Sequence, residues 1–419
     1  MRKTKKILPK LRFPEFKNDG EWKFIKLKQL GTFYRGLTYG AEDTVSNGLL
    51  VLRSGNIQDD NLVLNNNLVF VDKECPENLK LQNGDIVICM SNGSKALVGK
   101  NAEYKGSYEG NITVGAFCSI LRPKNSFTKY LLQSDAYQDF IALSIGGGNI
   151  NNLKNSDLEE FSCSAPKNRK EQQCIAACLS SLDELISAHS QKLELLKAHK
   201  KGLMQNLFPQ EGEKVPKLRF KEFEKDRDWK EKELGEIAKF TKGKGISKSD
   251  VVENGILPCI RYGELYTHYK EIITDVFSFT NVPVEGLILS KVNDVIIPSS
   301  GETHEDIATA SCIMKNGVAL GGDLNIIRPK INGIFLSYYL NNAKKREIAQ
   351  IAQGISVIHL YSNQLQCLKI AIPAKKEQQK IASCLSSLDG LITAQSKKIE
   401  QLKQHKKGLM QGLFPKINE

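Results

Sequence analysis

A forty-residue stretch that occurs twice constrains this chain more than any other feature. Residues 170–209 read KEQQCIAACLSSLDELISAHSQKLELLKAHKKGLMQNLFP, and residues 376–415 read KEQQKIASCLSSLDGLITAQSKKIEQLKQHKKGLMQGLFP. At a constant offset of 206, 30 of the 40 positions are identical. A self-repeat of this length makes the chain two copies of one unit.

Alternating steps of four and three through the first copy give Ile175, Leu179, Leu182, Ile186, His189, Leu193, Leu196, Lys200, Leu203 and Leu207. The second copy gives Ile381, Leu385, Leu388, Ile392, Gln395, Ile399, Leu402, Lys406, Leu409 and Leu413, with its polar breaks at the same two places. This spacing keeps a narrow apolar seam facing a partner helix, so the pattern predicts a coiled coil in which the two copies pair with each other. Polar seam positions lower stability but fix register. Pro209 and Pro415 end the helices, because proline lacks the amide donor and clashes with the preceding turn. Each helix would be roughly 57 Å long. Asn168 and Glu171 have the spacing of a capping box at the first helix start.

The repeat extends beyond the helices. PKLRFPEF at 9–16 returns as PKLRFKEF at 216–223, and Trp22, Leu27 and Phe33 return as Trp229, Leu234 and Phe240. Inside the globular parts the copies have diverged around a shared skeleton. VLRSGNI (51–57) parallels CIRYGEL (259–265), and NGDIVICMSNGS (83–94) parallels VNDVIIPSSGET (292–303). SILRPK (119–124) parallels NIIRPK (325–330), and GGGNINNLKNSDL (146–158) parallels QGISVIHLYSNQL (353–365). Short Val- and Ile-rich runs closed by Ser, Gly and Asn predict buried strands ending in loops. Residues 130–143 and 334–353 read as helical. The expected fold is α+β: two mixed domains, 1–166 and 211–373, related by a pseudo-twofold axis. Two long antiparallel helices, 167–210 and 374–419, would separate them.

The net charge of +12 over 419 residues favours a polyanionic partner. No apolar run is long enough to span a membrane. The basic N-terminus lacks the apolar core of a signal peptide. The ten cysteines show no zinc spacing; Cys174 and Cys178, one helical turn apart, read as small buried hydrophobes, and unpaired cysteines point to a reducing cytoplasm. Signs of catalysis are missing. There is no Pro-Pro of an amino-methyltransferase turn, and GSKALVGK (93–100) spaces its glycines one residue too far apart for a phosphate loop. Gly243-Lys-Gly245 stands alone, and His304 between Glu302 and Asp306 fits a solvated loop.

These motifs together resemble the specificity (S) subunit of type I restriction–modification enzymes, from about Leu8 to Pro415. The residues that carry the resemblance are the PKLRF…EW and PKLRF…DW openings and the R-S/Y-G and D-I/V-V/I-I…S elements. The KEQQ…CLSSLD…KKGLMQ…LFP helices carry it most strongly. The resemblance implies two target recognition domains, each reading one half of a split, asymmetric double-stranded DNA site. The helices would set the spacer and dock two modification (methyltransferase) subunits. Two restriction (motor and nuclease) subunits would join them. S-adenosylmethionine, ATP and Mg would belong to those partners, with no cofactor and no catalytic residue in this chain. The alternative is a coiled-coil adaptor with protein-binding ends.

Base readout needs polar side chains at base edges, and phosphate contacts need Arg, Lys or backbone N–H groups on loops. Loop positions that align between copies but differ in chemistry give Arg35, Arg53, Asn56, Asn92, Ser94, Lys95, Asn149 and Asn151 in the first domain. In the second they give Lys242, Lys244, Arg261, Tyr262, Glu264, Glu302, Thr303 and His304. Arg53 and Arg261 match each other, so a scaffold role fits them as well as DNA contact does.

Overall fold

The computed structural model describes residues 7–145, 152–210 and 212–415. The chain forms two compact units, Met1–His189 with Lys398–Glu419, and Ser190–Lys397. The long helices are Arg169–Leu207 and Lys375–Leu413. Each is divided between the units, and the first unit is therefore built from two separate stretches of chain.

In the first unit one sheet has the order Gly31–Arg35, Cys118–Pro123, Ile86–Cys89, Asn101–Glu103, all antiparallel. A second sheet runs Ile112–Val114, Leu49–Leu52, Val69–Val71, Thr44–Val45, its first pair parallel. The second unit repeats this frame. Ala238–Lys242, Leu324–Pro329, Val295–Pro298 and Ser311–Ile313 form the first sheet, which Ile272–Ile273 extends. Ser278–Thr280, Leu257–Ile260 and Ala319–Leu320 form the second. The central strands are apolar on both faces: Ile86–Cys89 and Leu49–Leu52 are buried throughout, as expected of strands covered on two sides.

The segments expected to be single helices are each broken in two. Phe127–Leu131 is separated from Asp135–Ile145, and Gly333–Asn341 from Lys345–Ile351. At the first break the Ser134 hydroxyl donates to the Leu131 carbonyl at 2.7 Å, a local bond that competes with the helical ladder.

Within the first unit the N-terminal half of the central helix meets the C-terminal half of the last helix, so the two run antiparallel. Ile175 and Leu179 share a core with Met410, Leu413 and Phe414. In the second unit Leu207 and Phe208 share one with Ile381 and Leu385. Every 4–3 seam position is buried or half-buried along both helices. The seam lysines have a defined partner on the facing helix. Lys406 Nζ lies 2.7 Å from Asp183, and Lys200 Nζ lies 2.8 Å from Asp389. The Tyr130 hydroxyl donates to Asp183, and the Tyr338 hydroxyl to Asp389. Each aspartate thus ties both helices to the neighbouring globular core.

Burial opposes ionisation of Asp183. The hydrogen bond and charge of Lys406, with Lys129 beside it, outweigh burial and hold the carboxyl below the usual range. A carboxyl with a lowered folded pKa contributes stability that is complete above its unfolded pKa of about 4 and is lost as pH falls through the folded value. Asp183→Asn should therefore flatten the acid limb of stability against pH, measured by urea unfolding between about pH 2 and pH 5. An unchanged acid slope would contradict the assignment.

The start of the first long helix is built differently from the sequence expectation. The Asn168 side chain accepts the Lys170 N–H at 3.0 Å, but Glu171 does not complete a capping box. Its carboxylate is 1% exposed and accepts Nε and Nη2 of Arg12, both at 2.8 Å. Trp22 Nε1 adds a third bond at 3.1 Å. Glu377 takes Arg219 in the same fork, again at 2.8 Å twice. The fixed planar geometry of guanidinium matches carboxylate at two points and leaves little of either charge unpaired. The adjacent Gln172 and Gln378 each donate to a preceding proline carbonyl, Pro166 and Pro373, at 2.9 Å. The repeated PKLRF and KEQQ motifs are two halves of one joint.

Candidate nucleic-acid interface

In each unit two glycines bring the sheets into contact at one end. The Leu37 N–H donates to the Val114 carbonyl, and the Gly115 N–H to the Leu52 carbonyl, both at 2.8 Å. A Cβ on Gly36 would sit 2.2 Å from the Gly115 carbonyl oxygen, so no larger residue fits. The second unit repeats the crossing: Lys244 N–H to Leu320, Gly321 N–H to Ile260, and a Cβ on Gly243 only 2.0 Å from the Gly321 oxygen.

This crossing gathers loops from both sheets. In the first unit it places Arg35 at the end of one strand and Arg53 at the end of another, both exposed. The 91–96 loop is tied to the turn after Arg53, with Asn92 Nδ2 donating to the Ser54 hydroxyl at 2.9 Å and Asn92 Oδ1 accepting the Ser94 N–H at 3.0 Å. Ser94 and Lys95 are exposed beyond that contact. Phe117, 70% exposed, lies in the turn whose carbonyl accepts the Met90 N–H. A search for polar base readers had no reason to select it. Asn149 and Asn151 lie outside the described residues.

In the second unit Lys242 and Lys244 are exposed on either side of the glycine crossing. Tyr262 stands over Tyr266 with ring centroids 6.4 Å apart. Burial pushes the Tyr266 hydroxyl pKa up, and the carboxylates of Glu302 and Asp306 act in the same direction. Thr303 caps the turn from His304, accepting the Asp306 N–H at 3.1 Å, while Glu302 and His304 are exposed.

Two positions chosen from the sequence have side chains committed to their own turns. Asn56 is 1% exposed, accepts the Arg53 N–H at 2.9 Å and donates to the Val63 and Asn66 carbonyls at 3.3 Å. Glu264, 6% exposed, accepts the Arg261 N–H at 2.9 Å and is bonded by the Ser278 hydroxyl. Both hold the turn that presents the preceding arginine. Arg261 Nε is buried without a hydrogen-bond partner.

Two further arginines matched by the repeat are structural. Arg122 grips Asp85 at 2.8 and 3.0 Å, and Arg328 reaches Asp294 at 3.3 Å. They pin strand to turn in each first sheet. Among the described residues no group of three His, Cys, Asp or Glu is placed to hold a metal ion, and no helix is long and apolar enough to cross a membrane.

The duplicated frame has a counterpart among known families. The family model described as "Type I restriction modification DNA specificity domain" matches the chain twice, over residues 19–198 and 226–404. The chain belongs to this specificity-domain family. Over 170 residues it is 34% identical to the EcoKI type I restriction enzyme specificity subunit of Escherichia coli, covering 38% of this chain and 36% of that protein. The StySPI specificity subunit of Salmonella potsdam is 32% identical over 182 residues, 41% of this chain and 38% of that protein. The chain therefore spans little more than a third of the length of these two curated relatives. The putative MjaX specificity subunit of Methanocaldococcus jannaschii matches over 93% of this chain and 92% of its own length, at 25% identity.

The fold is shared with solved structures. A type I restriction–modification S subunit from M. genitalium superposes with a TM-score of 0.61 at 18% identity, covering 98% of this chain and 100% of that one. A second structure, from a study of type I complex assembly, gives 0.53 at 15% identity over 94% and 97%. The two matched stretches, each of which runs into one of the long helices, account for most of the sequence.

Proposed function

We propose that this chain is the DNA sequence-specificity subunit of a type I restriction–modification complex. Residues 1–166 and 211–373 each read one half of an asymmetric, split target in double-stranded DNA. The helices at 167–210 and 374–419 set the spacer and dock two copies of a methyltransferase subunit, which methylates adenine. Restriction subunits add ATP-dependent cleavage, and the whole complex works in the cytoplasm. The observation that carries this reading is the contrast between the copies. The helices repeat almost unchanged, while the loops at the glycine crossing differ: Arg35, Asn92 and Lys95 in one unit, and Lys242, Tyr262 and His304 in the other.

Exposure along the helices supports duplicated docking. Ser181, Leu185, Ala188, Lys192 and His199 are exposed, and recur, also exposed, as Ser387, Leu391, Ala394, Lys398 and His405. The exposed positions that differ between copies are Ala177, Glu184, Ser187, Gln191, Leu195 and Ala198 against Ser383, Gly390, Thr393, Lys397, Gln401 and Gln404. Their spacing puts them on one outward stripe of the helix. Identical exposed pairs, among them Gln173 with Gln379 and Glu194 with Glu400, also lie between these positions, so most of the exposed surface of the two helices is shared, as two identical partners would need.

The test is to co-express the chain with methyltransferase and restriction subunits and map adenine methylation across the genome. One split, asymmetric motif is expected. Bound partners without any motif would favour a protein adaptor. A second prediction concerns Leu391, a large apolar side chain 57% exposed on the shared stripe. Leu391→Asp should leave folding stability within about 0.5 kcal/mol, yet remove one methyltransferase from the assembly by native mass spectrometry. Two retained copies would contradict the stripe as the docking surface.

A further inference from the structure

One feature of the second unit's reading end is apolar. Gln353 and His359 exchange two backbone hydrogen bonds of 2.8 and 2.7 Å, closing a tight hairpin. Gly354 has φ +130°, and a Cβ there would lie 2.0 Å from the Val357 carbonyl oxygen, so the turn requires glycine. The root is fixed. Ile358–His359 pairs with Ser300–Gly301, the Leu360 N–H donates to Ser299, and Asn325 Nδ2 donates to the Leu360 carbonyl at 2.9 Å. Ile358 and Leu360 are buried at 3% and 1%, whereas Ile355 at the tip is 98% exposed.

Alternation along this segment sends even-numbered side chains into the core and leaves Val357, His359 and Tyr361 outward, the last two rings stacked 6.2 Å apart. The hairpin stands beside the candidate readers. Ser300–Gly301 leads directly into Glu302, Thr303 and His304, and Asn325 sits opposite Lys242 in the sheet. An isoleucine held bare at the tip of this turn cannot serve a phosphate. On the major-groove edge of duplex DNA, the apolar group offered to a protruding side chain is the thymine 5-methyl. The aligned residue of the first copy is Gly148, so the two copies differ in sequence at this position.

We propose that Ile355 is a specificity-determining residue that contacts a thymine 5-methyl group in the half-site read by the second domain. This rests on the DNA-specificity reading above. The experiment uses the chain assembled with its methyltransferase subunits and duplexes carrying the mapped motif. Thymines of the second half-site are replaced one at a time by deoxyuridine, which keeps the pairing and removes only the methyl.

Ile355→Ala should weaken binding to the cognate duplex roughly tenfold, in line with the loss of one apolar pocket contact, and leave non-specific binding unchanged. The salt slope should not move, because no counter-ion is released by an apolar contact. One deoxyuridine position should weaken wild type by a similar factor and have no further effect on Ile355→Ala. A melting curve matching wild type confirms that the exposed substitution leaves the fold intact.

Unchanged affinity, equal weakening on all sequences, no coupled deoxyuridine position, or a second half-site without thymine on either strand would each overturn the proposal. Loss of methyltransferase subunits from Ile355→Ala would make the tip a protein contact, which also overturns it. A wild-type complex that binds no split motif would sink the specificity reading itself, and this inference with it. A wild type that passes while Ile355→Ala fails sinks this inference alone.

Discussion

Arg219→Ala should destabilise the second unit by about 3–5 kcal/mol, the range for stripping one partner from a buried ion pair. Arg12→Ala should destabilise the first by clearly less. The two joints are close copies: Arg219 and Glu377 have side chains 10% and 1% exposed, Arg12 and Glu171 8% and 1%. The difference lies in the tryptophans. Trp22 Nε1 donates to Glu171 at 3.1 Å, whereas Trp229 Nε1 is buried without a hydrogen-bond partner. When Arg12 is lost, Glu171 keeps one donor. When Arg219 is lost, the Glu377 carboxylate keeps no side-chain donor, and a buried charge without partners bears its full desolvation penalty.

The chain has two tryptophans, one in each joint. Denaturant unfolding followed by Trp229 fluorescence in a Trp22→Phe background therefore reports Arg219→Ala, and the converse background reports Arg12→Ala. Equal losses would mean that the indole donor contributes nothing.

The helices were legible because the information that makes them is local. A 4–3 seam, a capping asparagine and a terminal proline all act within a few turns. The repeat also showed that the long helices and the strands of the shared skeleton come in two copies. What the sequence could not show is which distant groups meet. Arg12 finds Glu171 across 159 residues, and Lys406 finds Asp183 rather than a residue of its own helix. Pattern alone treats Lys200 and Lys406 as interruptions of a seam, whereas in the fold each is the point where two helices and a domain are joined.

The reading end was legible in part, for a related reason. Asn, Glu and Arg beside glycine mark a turn, and the same residue types read bases, so composition cannot separate Asn56, which holds its turn, from Asn92, which bridges two loops. Phe117 and Ile355 lay outside a search for polar readers, and only their exposure in the fold draws attention to them. The glycine crossing explains why the copies could diverge at all. Gly36 with Gly115, and Gly243 with Gly321, hold the sheets at the same approach whatever side chains the loops carry.

Such a frame predicts that the domains can be exchanged separately. Replacing residues 1–166 by the equivalent part of a relative should give a working chain if the joint is kept. That requires Arg12 and Trp22 against Glu171, and Phe127 stacked on Phe414 at 5.4 Å. The exchanged chain, co-expressed with its methyltransferase subunits, should change every base of one half of the methylated motif. The other half should stay as it was, because residues 211–373 are untouched, and the spacer should keep its length, because the helices are. The most direct measurement of one domain reading one half-site is therefore the genome-wide adenine methylation map of this exchanged chain. One altered half beside one unaltered half is the predicted result. A motif altered in both halves would contradict it.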